Sequence, residues 1–468
     1  MSENEDISLE ELNVFDPPVN QRGVYFLPLG GTGEIGMNLN LYLHNNRMVM
    51  VDCGSMFQDP DGLLHPRPDE FIVPDTCFVE EHRGALEAIV LTHAHEDHIG
   101  ALLALWHRFP TRIYATAFTA EVLRRKVARS RDPKHQDLLA QIVVVQPAHV
   151  YQIGPFSIEW LPITHSTIES HGLLIKTPGH TLFHTGDWKF DPNPVLGPAT
   201  SDAESLGLAS TGIDSVVCDS TNALKAGHSV SEQSVYHGLL ATVKGLQGRV
   251  FVTCFASNVA RLVSVARVAK ETGRYLAVIG RAFENMISIA RLLGYWPEGL
   301  RIYSPGEASY LPRHEVLYLV TGSQGEPRAA LSRLSRGRFD TAEMEEGDSV
   351  IFSSMRIPGN EVEIARLVAN LRAMKVSVLE NDSLTEDVHA SGHPCREELR
   401  NLYTVLRPRA MVATHGTQEH LEQHVALAKE SGVRRGLAGL NGDLFQLYPV
   451  TKRFSGYTSA ARVLLPSP

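Results

Sequence analysis

The chain has 468 residues, enough for more than one domain, and its 43% hydrophobic and 21% charged residues are typical of an ordinary globular protein. The net charge of −10 argues mildly against a nucleic-acid partner, although a basic groove can lie on an acidic protein. No apolar run reaches the ~18–20 residues of a membrane helix, so we expect no membrane partner. The five cysteines are scattered, which argues against a disulfide framework. Because the start of the chain is also acidic, unlike a secretory signal, we expect a cytoplasmic location.

The first large region, residues 21–230, is predicted to be rich in β-strands after a flexible tail at 1–20. Strands are predicted in VYFLPLG, MNLNLYLH and RMVMVDCG. Gly30–Gly36 resembles a dinucleotide loop, but a strand follows it instead of a helix, so we interpret it as a turn. AIVL is predicted to be a buried strand and IGALLALWHRF an amphipathic helix. Further strands are predicted in TRIYAT, QIVVV, FSIEWLPI, GLLIKT and HTLFHTG.

The second region, residues 231–388, alternates strands such as RVFVTCF and YLAVIG with helical stretches such as NVARLVSVARVAKETG. This alternation is typical of an open α/β domain, here inserted in a larger body. Residues 389–460 contain HASGH, MVATHG and a helical EHLEQHVALAKESG, and are predicted to complete that body. An irregular tail is predicted for 461–468.

A dense group of metal-ligand side chains occupies residues 93–98, in the sequence HAHEDH, between the buried strand and the helix. Such side chains are costly to bury unless a positive charge satisfies them. Imidazole and carboxylate groups are zinc ligands. We therefore predict that His93 and His95 bind one ion and that Asp97 and His98 bind a second.

Further ligands are expected in similar loops. His165 ends one strand, Asp187 follows another in LFHTGDWKFD and is predicted to bridge the ions, and His415 in MVATHGT completes the second site. Asp52 is predicted to orient a histidine or the loop, and His184 to be structural. A pair of ions suits phosphoryl chemistry, since it activates water and neutralises charge on the attacked group.

Together these residues resemble the metallo-β-lactamase superfamily, and the inserted region resembles its β-CASP branch, within which the motifs are those of the ribonuclease J family. The motifs that carry the resemblance run in order along most of the chain: LPLGGTGEIGMN, THAHEDHIGA, PITHS, HTGDWKFDP, CDSTNA, FASNVAR, TGSQGEPRAAL, IPGNE, HASGH and ATHG. The resemblance implies a metallo-β-lactamase αββα sandwich of α/β class with an inserted α/β β-CASP domain.

The resemblance also implies roles for individual residues. Asp219 carries the acidic motif of the family, and His393 is its candidate for protonating the leaving oxygen or stabilising the scissile phosphate. Asp97, Asp219 and His393 are thus the catalytic candidates. The positions that match those holding RNA phosphate are Ser257, Asn258, His389, Ala390, Ser391, Gly392 and His393. Small hydroxyls and backbone N–H groups suit a grip on phosphate without sequence readout.

The activity implied is hydrolysis of RNA phosphodiester bonds, as a 5′→3′ exonuclease and also as an endonuclease, with two Zn²⁺ ions or, alternatively, Mn²⁺. Single-stranded RNA is the expected partner and a homodimer the expected assembly. Three departures indicate a divergent member. The sequence stops soon after GDLFQLYP, where the family continues into a small C-terminal domain, Thr417 replaces a Glu, and Met355 stands where Arg is common.

Rival hypotheses stay open at this point. One is a hydrolase of a small ester, thioester or lactone, and another is a catalytically weak RNA-binding partner subunit. DNA in place of RNA is not distinguished either, because phosphate contacts do not identify the sugar. Two basic clusters are candidates for an RNA path or for plain solvated surface, namely Arg124, Arg125, Lys126, Arg129 and Arg131, and Arg328, Arg333, Arg336 and Arg338.

Overall fold

A computed structural model describes residues 13–466 except 60, 68, 340 and 358. Two large sheets form the main body. The first sheet runs, in spatial order, through Lys452–Phe454, Leu444–Tyr448, Val24–Gly30, Leu39–His44, Arg47–Val51, Leu86–Val90, Arg112–Ala115 and Ile142–Val144. The second runs through Arg435–Leu437, Ala410–Thr414, Ser215–Asp219, His180–His184, His171–Thr177, Phe156–Pro162 and Val150–Ile153.

The two sheets pack face to face over apolar side chains. One core cluster joins Phe26 and Val90 of the first sheet to Ile158, Leu173 and Val217 of the second. Helices cover both outer faces, because alternate residues of each strand point outward and are also apolar. The predicted αββα sandwich is therefore confirmed.

The helices described lie outside the sheets. They span Cys77–Glu81, Glu96–Ile99, Leu102–Leu105, Ala117–Arg129, His135–Leu139, Glu232–Lys244, Val259–Glu271, Arg281–Leu292, Pro305–Ser309, Ala330–Leu334, Glu361–Ala373, Arg396–Leu406 and Gln418–Glu430. Single 3₁₀ turns occur at Arg83–Ala85, Trp106–Arg108, Glu204–Leu206, Arg313–Glu315 and Asn381–Ser383. Within the described ranges, none of these helices has the length and apolar content to cross a membrane.

A third, all-parallel sheet forms the inserted domain. Its strands, in spatial order, are Tyr275–Ile279, Val316–Val320, Val250–Thr253, Ser349–Phe352 and Ser377–Glu380. Helix Glu361–Ala373 covers one face and helix Val259–Glu271 the other. This is the open α/β arrangement that the strand and helix alternation predicts.

The single helix predicted for IGALLALWHRF is wrong. It is split into the end of Glu96–Ile99, the turn Leu102–Leu105 and a 3₁₀ turn at Trp106–Arg108. The break follows from a tertiary contact, because the amide of Ala101 donates to the carbonyl of Cys53, 3.1 Å away, outside the helix. Local apolar spacing does not reveal such a contact.

Both predicted tails need correction where they are described. Residues 1–12 lie outside the described ranges, but Phe15 and Val19 are buried, and the Phe15 ring centroid lies 6.1 Å from that of Phe78. Residues Arg462–Pro466 form a strand antiparallel to Glu70–Pro74. Both segments are held by partners far away in the sequence, which a local pattern does not encode.

Gly30–Gly36 forms a turn, as predicted. Gly36 has a φ of 112°, which favours glycine, and the strand Leu39–His44 follows. Within this turn Thr32–Gly33 pairs in parallel with Gly416–Thr417, and the carbonyl of Gly31 accepts a hydrogen bond of 2.5 Å from the amide of His415. The turn thus fixes the loop that carries His415.

Candidate metal centre

The predicted ligands converge because each follows the carboxyl end of a strand at one edge of the sandwich. His165 follows Phe156–Pro162, Asp187 follows His180–His184 and His415 follows Ala410–Thr414. The latter two strands flank Ser215–Asp219 in parallel, so their carboxyl ends meet at the same edge. The loop of residues 91–95 follows Leu86–Val90 of the facing sheet and brings the HAHEDH segment to this edge.

The first group consists of His93, His95, His165 and Asp187, each offering one ligand atom within 4.8 Å of the others. His95 Nδ1 lies 3.1 Å from Nε2 of His93 and 3.1 Å from Nε2 of His165. Asp187 Oδ2 lies 3.9 Å from His93 Nε2 and 3.7 Å from His165 Nε2. Such a set of three imidazoles and a carboxylate suits a tetrahedral divalent cation.

The second group consists of Asp97, His98, Asp187 and His415, again within 4.8 Å. His98 Nε2 lies 3.2 Å from Asp187 Oδ2, and His415 Nδ1 lies 3.2 Å from Asp187 Oδ1. Asp97 Oδ2 lies 3.6 Å from His98 Nε2 and 3.4 Å from His415 Nε2. Asp187 therefore belongs to both groups. Within the second group, its Oδ2 faces His98 and its Oδ1 faces His415.

Hydrogen bonds on the outer side of the rings fit a cation on the inner side. His165 Nδ1 lies 2.6 Å from the carbonyl of Gly392, which can only accept, so this nitrogen donates and Nε2 presents its lone pair inward. His98 Nδ1 lies 2.7 Å from Asp52 Oδ2 and donates in the same way. Asp52 also accepts from the Thr92 amide and hydroxyl, each at 2.8 Å, so it orients the histidine loop.

The charges of the buried groups point to a cation as well. Burial opposes protonation of His98 and His415, yet the carboxylates around them, Asp187 foremost, hold the pKa of both histidines well above the ordinary value. Burial alone would raise the pKa of Asp187, but His415 and His98 hold it well below its usual range. The protein without metal thus needs positive charge here, and a divalent cation supplies it when it displaces protons.

In the first group, the pKa values of His93 and His95 are shifted the other way, below the ordinary value. Burial lowers the pKa of His95 to about 4 and holds that of His93 well below its ordinary value, and the neighbouring imidazoles add to the effect. Neutral imidazole is the form that binds a metal ion.

In the second group, His415 Nε2 is a buried nitrogen without a hydrogen-bond partner among the described residues. The residues present therefore fit metal ions.

The catalytic candidates His393 and Asp219 lie beside the second group. His393 Nδ1 donates to Asp219 Oδ2 at 2.7 Å, and both residues share a cluster with Asp187 and His415. Burial opposes protonation of His393, but Asp219 outweighs it and raises its pKa. The Thr221 amide and hydroxyl both donate to Asp219 Oδ1, at 2.8 and 2.7 Å.

The predicted phosphate positions fall into two sets. Ser391, Gly392 and His393 lie next to the ligands, since the Gly392 carbonyl accepts from His165, and Ala390 is buried behind them. Asn258, by contrast, is 6% exposed and caps helix Val259–Glu271. Its Oδ1 accepts from the Arg261 amide and its Nδ2 donates to Glu232.

The remaining two positions lie beside these sets. Ser257 precedes Asn258 and is partly exposed, and burial lowers the pKa of His389 to about 3. Contact between any of these residues and RNA remains a prediction.

Several supporting side chains were not predicted from the sequence. The Asn222 amide donates to Ser391 Oγ at 2.8 Å and to the His393 carbonyl at 3.1 Å. Asn38 Nδ2 lies 3.2 Å from the Asp97 carbonyl, to which it donates, and 3.1 Å from His98 Nε2. The only sequence signal for both was their place in the motifs CDSTNA and GEIGMN.

The other residues singled out in the sequence have identifiable surroundings. His184 is buried, and its Nδ1 lies 2.8 Å from the Tyr42 hydroxyl, outside the ligand groups. Thr417 Oγ1 lies 2.7 Å from His420 Nδ1 at the start of a helix. Met355 is partly exposed.

The two basic clusters differ in their pairing. In the first, Arg124 and Arg125 pair with Glu121, and Lys126 with Glu96 at 2.6 Å. The second is exposed at Arg328, Arg333, Arg336 and Arg338. Within the described ranges, Arg129 and Arg131 of the first cluster and all four arginines of the second form no ion pair, so the second cluster is the less neutralised of the two.

Comparison with known proteins identifies the family. Residues 47–229 match the Beta-lactamase superfamily domain, 247–371 match Ribonuclease J, beta-CASP domain, and 384–435 match Zn-dependent metallo-hydrolase RNA specificity domain. A solved structure, titled as a protein of unknown function from Enterococcus faecalis V583, covers 91% of this chain and all of its own with a TM-score of 0.62 and 15% identity, which supports the fold alone.

Curated relatives agree over most of the chain. Ribonuclease J of Sinorhizobium meliloti is 39% identical over 429 residues, which cover 91% of this chain and 74% of that protein. Ribonuclease J of Mycolicibacterium smegmatis is 37% identical over 419 residues, and that of Thermus thermophilus 35% over 435 residues, with 73% and 74% of those proteins covered. The chain belongs to the ribonuclease J family.

Proposed function

We propose that this protein is a metal-dependent ribonuclease that hydrolyses RNA phosphodiester bonds. The observation that carries the proposal is the pair of ligand groups sharing Asp187, with His393 and Asp219 beside the second group. His93, His95 and His165 would hold one ion, Asp97, His98 and His415 the other, and Asp187 both. Zn²⁺ is the ion proposed, with Mn²⁺ as the alternative.

The side chains around this centre support phosphodiester hydrolysis. When bound, a pair of divalent cations activates water and neutralises charge on a phosphoryl group. Asp219 accepts the Nδ1–H of His393, which leaves Nε2 as the atom that faces away from Asp219 and can deliver a proton to the leaving oxygen. We assign His393 as the general acid. Asp97 and Asp219 are assigned as the catalytic carboxylates that position neighbouring groups of the centre.

The family points to the substrate and its direction of degradation. We propose single-stranded RNA, degraded as a 5′→3′ exonuclease and also cut internally, with phosphates held by Ser257, Asn258 and the loop 389–393. We further propose a homodimer, and cytoplasmic RNA as the target, which the free thiols of the five scattered cysteines support. The proposed domain limits are 21–230, 231–388 and 389–460.

The rival functions are less well supported. A hydrolase of small esters or lactones has no need for the inserted parallel sheet or for the His393–Asp219 pair. A purely RNA-binding subunit has no need for a complete ligand set, and every ligand position of this chain keeps a ligand side chain.

The direct test uses a 5′-monophosphorylated, end-labelled single-stranded RNA. Purified protein would be incubated with it in Zn²⁺, in Mn²⁺ and in EDTA, alongside the His95→Ala variant and a DNA of the same sequence. Metal-dependent release of mononucleotides from the 5′ end, absent in the variant, is expected. Intact RNA with metals bound would refute the proposal and favour a partner subunit or a small-molecule hydrolase.

A further inference from the structure

The turn that follows Asp219 contacts the predicted phosphate loop through one side chain. Asn222 is 2% exposed and lies between the turn and the loop 389–393. Its Nδ2 lies 3.1 Å from the carbonyl oxygen of His393 and 2.8 Å from Ser391 Oγ. The two segments are 169 to 171 residues apart in the chain, so the contact is purely tertiary.

The orientation of the Asn222 amide follows from its partners. A carbonyl oxygen accepts and never donates, so the group facing the His393 carbonyl must be the NH₂ and not the amide oxygen. The NH₂ has two hydrogens, one for each neighbour. Ser391 Oγ therefore accepts from Asn222, and its own hydrogen does not lie between the two residues.

The other lone pair of the Ser391 hydroxyl faces a second donor. The amide of His393 points to Ser391 Oγ at 3.4 Å, a weaker contact on the same oxygen. A serine hydroxyl has two acceptor lone pairs and one hydrogen. With both lone pairs facing donors, the hydrogen must point elsewhere, and within the described part of the chain it meets no acceptor, while Ser391 remains partly exposed.

Ser391 lies beside the candidate metal centre. The next residue, Gly392, accepts from the ligand His165, and the one after is His393. The loop packs closely on the ligand candidates, because a Cβ on Gly392 would lie 2.6 Å from His165 Nδ1 and 2.7 Å from Ser166 Oγ. Ser391 thus precedes a backbone segment that contacts His165 and leads directly into His393.

We propose that Asn222 is a positioning residue that makes Ser391 an obligate hydrogen-bond donor, aimed at a phosphate oxygen of the bound substrate. The proposal rests on the proposed function for the identity of the substrate. It goes further in assigning which atom of the loop donates and which residue fixes it. A donor that has no acceptor among the described residues discriminates in favour of an anion, since hydrogen bonds to charged groups are roughly twice as strong as neutral ones.

The test compares two replacements of Asn222 that change the Ser391 hydroxyl in opposite ways. In Asn222→Ala the hydroxyl rotates freely and can still donate to phosphate. In Asn222→Asp the carboxylate accepts the Ser391 hydrogen and removes the donor. We expect KM for RNA to rise about two- to threefold in the first variant and about tenfold or more in the second, the loss of one charge-assisted hydrogen bond.

The added charge of Asn222→Asp is controlled by repeating both replacements in a Ser391→Ala background. There the ratio of the two KM values should fall to less than half of its value with Ser391 present, since no hydroxyl remains to be turned. Ser391→Thr keeps the hydroxyl, so its KM should lie close to that of the wild type and well below that of Ser391→Ala. An unchanged ratio in the Ser391→Ala background, or equal KM values for Asn222→Ala and Asn222→Asp, would overturn the proposal.

Binding of inorganic phosphate, measured by calorimetry, separates this proposal from the ribonuclease assignment. Weaker binding to Asn222→Asp than to Asn222→Ala is expected even if RNA is not the substrate. Equal binding by both variants, or none by the wild type, would contradict the proposal. Asn401→Ala serves as the matched control, because Asn401 Oδ1 accepts from the Ala203 amide at 2.9 Å outside the centre. Thermal melting of every variant checks folding.

Discussion

The ion pair between Arg261 and Glu232 offers a quantitative test of how the inserted domain is held. The Arg261 side chain is 1% exposed and donates to Glu232 Oε2 and Oε1 at 3.0 and 2.9 Å. It also donates to the carbonyl and hydroxyl of Ser353, at 2.9 and 2.6 Å. The guanidinium thereby ties two helices to the end of a central strand, close to the predicted phosphate loop.

The magnitude follows from the protonation of Glu232. Burial would raise the pKa of this carboxyl, but Arg261 outweighs burial, with help from Lys189, and lowers the pKa from 4.5 to about 2. Since one pKa unit corresponds to about 1.4 kcal/mol, the paired carboxylate is stabilised by about 3 kcal/mol. Replacing Arg261 with Met leaves a buried charge without its partner, which typically costs about 3–5 kcal/mol.

The pH dependence has a defined direction. A carboxyl whose pKa is lower in the folded than in the unfolded state stabilises the fold above its unfolded pKa of about 4.5, and that stabilisation is lost as pH falls toward about 2. The difference between the wild type and Arg261→Met should therefore be largest near pH 7. It should shrink between about pH 5 and pH 2.

The assay is hydrogen exchange followed by mass spectrometry over helices Glu232–Lys244 and Val259–Glu271, which needs no two-state unfolding of the whole chain. Protection there should fall about 100-fold or more in Arg261→Met. Arg366→Met is the matched control, because Arg366 pairs with Glu363 on the surface, with 56% of its side chain exposed, and should change protection little. A loss below about 1 kcal/mol, or one independent of pH, would refute the reasoning.

Three further predictions concern the centre. Asp187→Ala should lose both metal ions and all cleavage, whereas His95→Ala should lose cleavage and at least the ion of its own group, as metal analysis by mass spectrometry would reveal; retention of two ions by Asp187→Ala would contradict a shared ligand. His393→Ala should keep its metals but lose about 10²–10⁴-fold in kcat, and full turnover would exclude the acid role. Gly392→Ala should reduce metal content and activity together, because its Cβ would meet His165 at 2.6 Å; unaltered metal content would show that the loop can shift.

The candidate ligands could be named from the sequence because chemistry and local pattern coincide. HAHEDH follows a buried strand and contains the start of a helix, and His165, Asp187 and His415 each follow a strand. Burying so many polar ligand side chains beside apolar strands is costly unless a cation satisfies them. The sequence also predicts which ligands share an ion, but not which atoms face each other, since that depends on packing between separate strands, as for His415 Nδ1 and Asp187 Oδ1, which lie 3.2 Å apart.

The errors in the predicted elements share one cause. The split helix after His98, the buried Phe15 and the strand Arg462–Pro466 all depend on partners distant in sequence. Arg462, for example, pairs with Glu34 at 2.6 Å and also with Asp59, and these pairs hold a segment that has no strong strand pattern of its own.

The sequence by itself determined the class of fold, the family and the candidate ligand residues, because strand periodicity, loop position and ordered motifs are written locally along the chain. Tertiary structure alone decided which atoms face each other, such as Asp219 Oδ2 and His393 Nδ1, or Asn222 Nδ2 and Ser391 Oγ. Whether an atom donates or accepts a hydrogen bond depends on differences of tenths of an ångström in distance, and on whether its neighbour can only accept. Those relations arise only when segments more than a hundred residues apart are packed together.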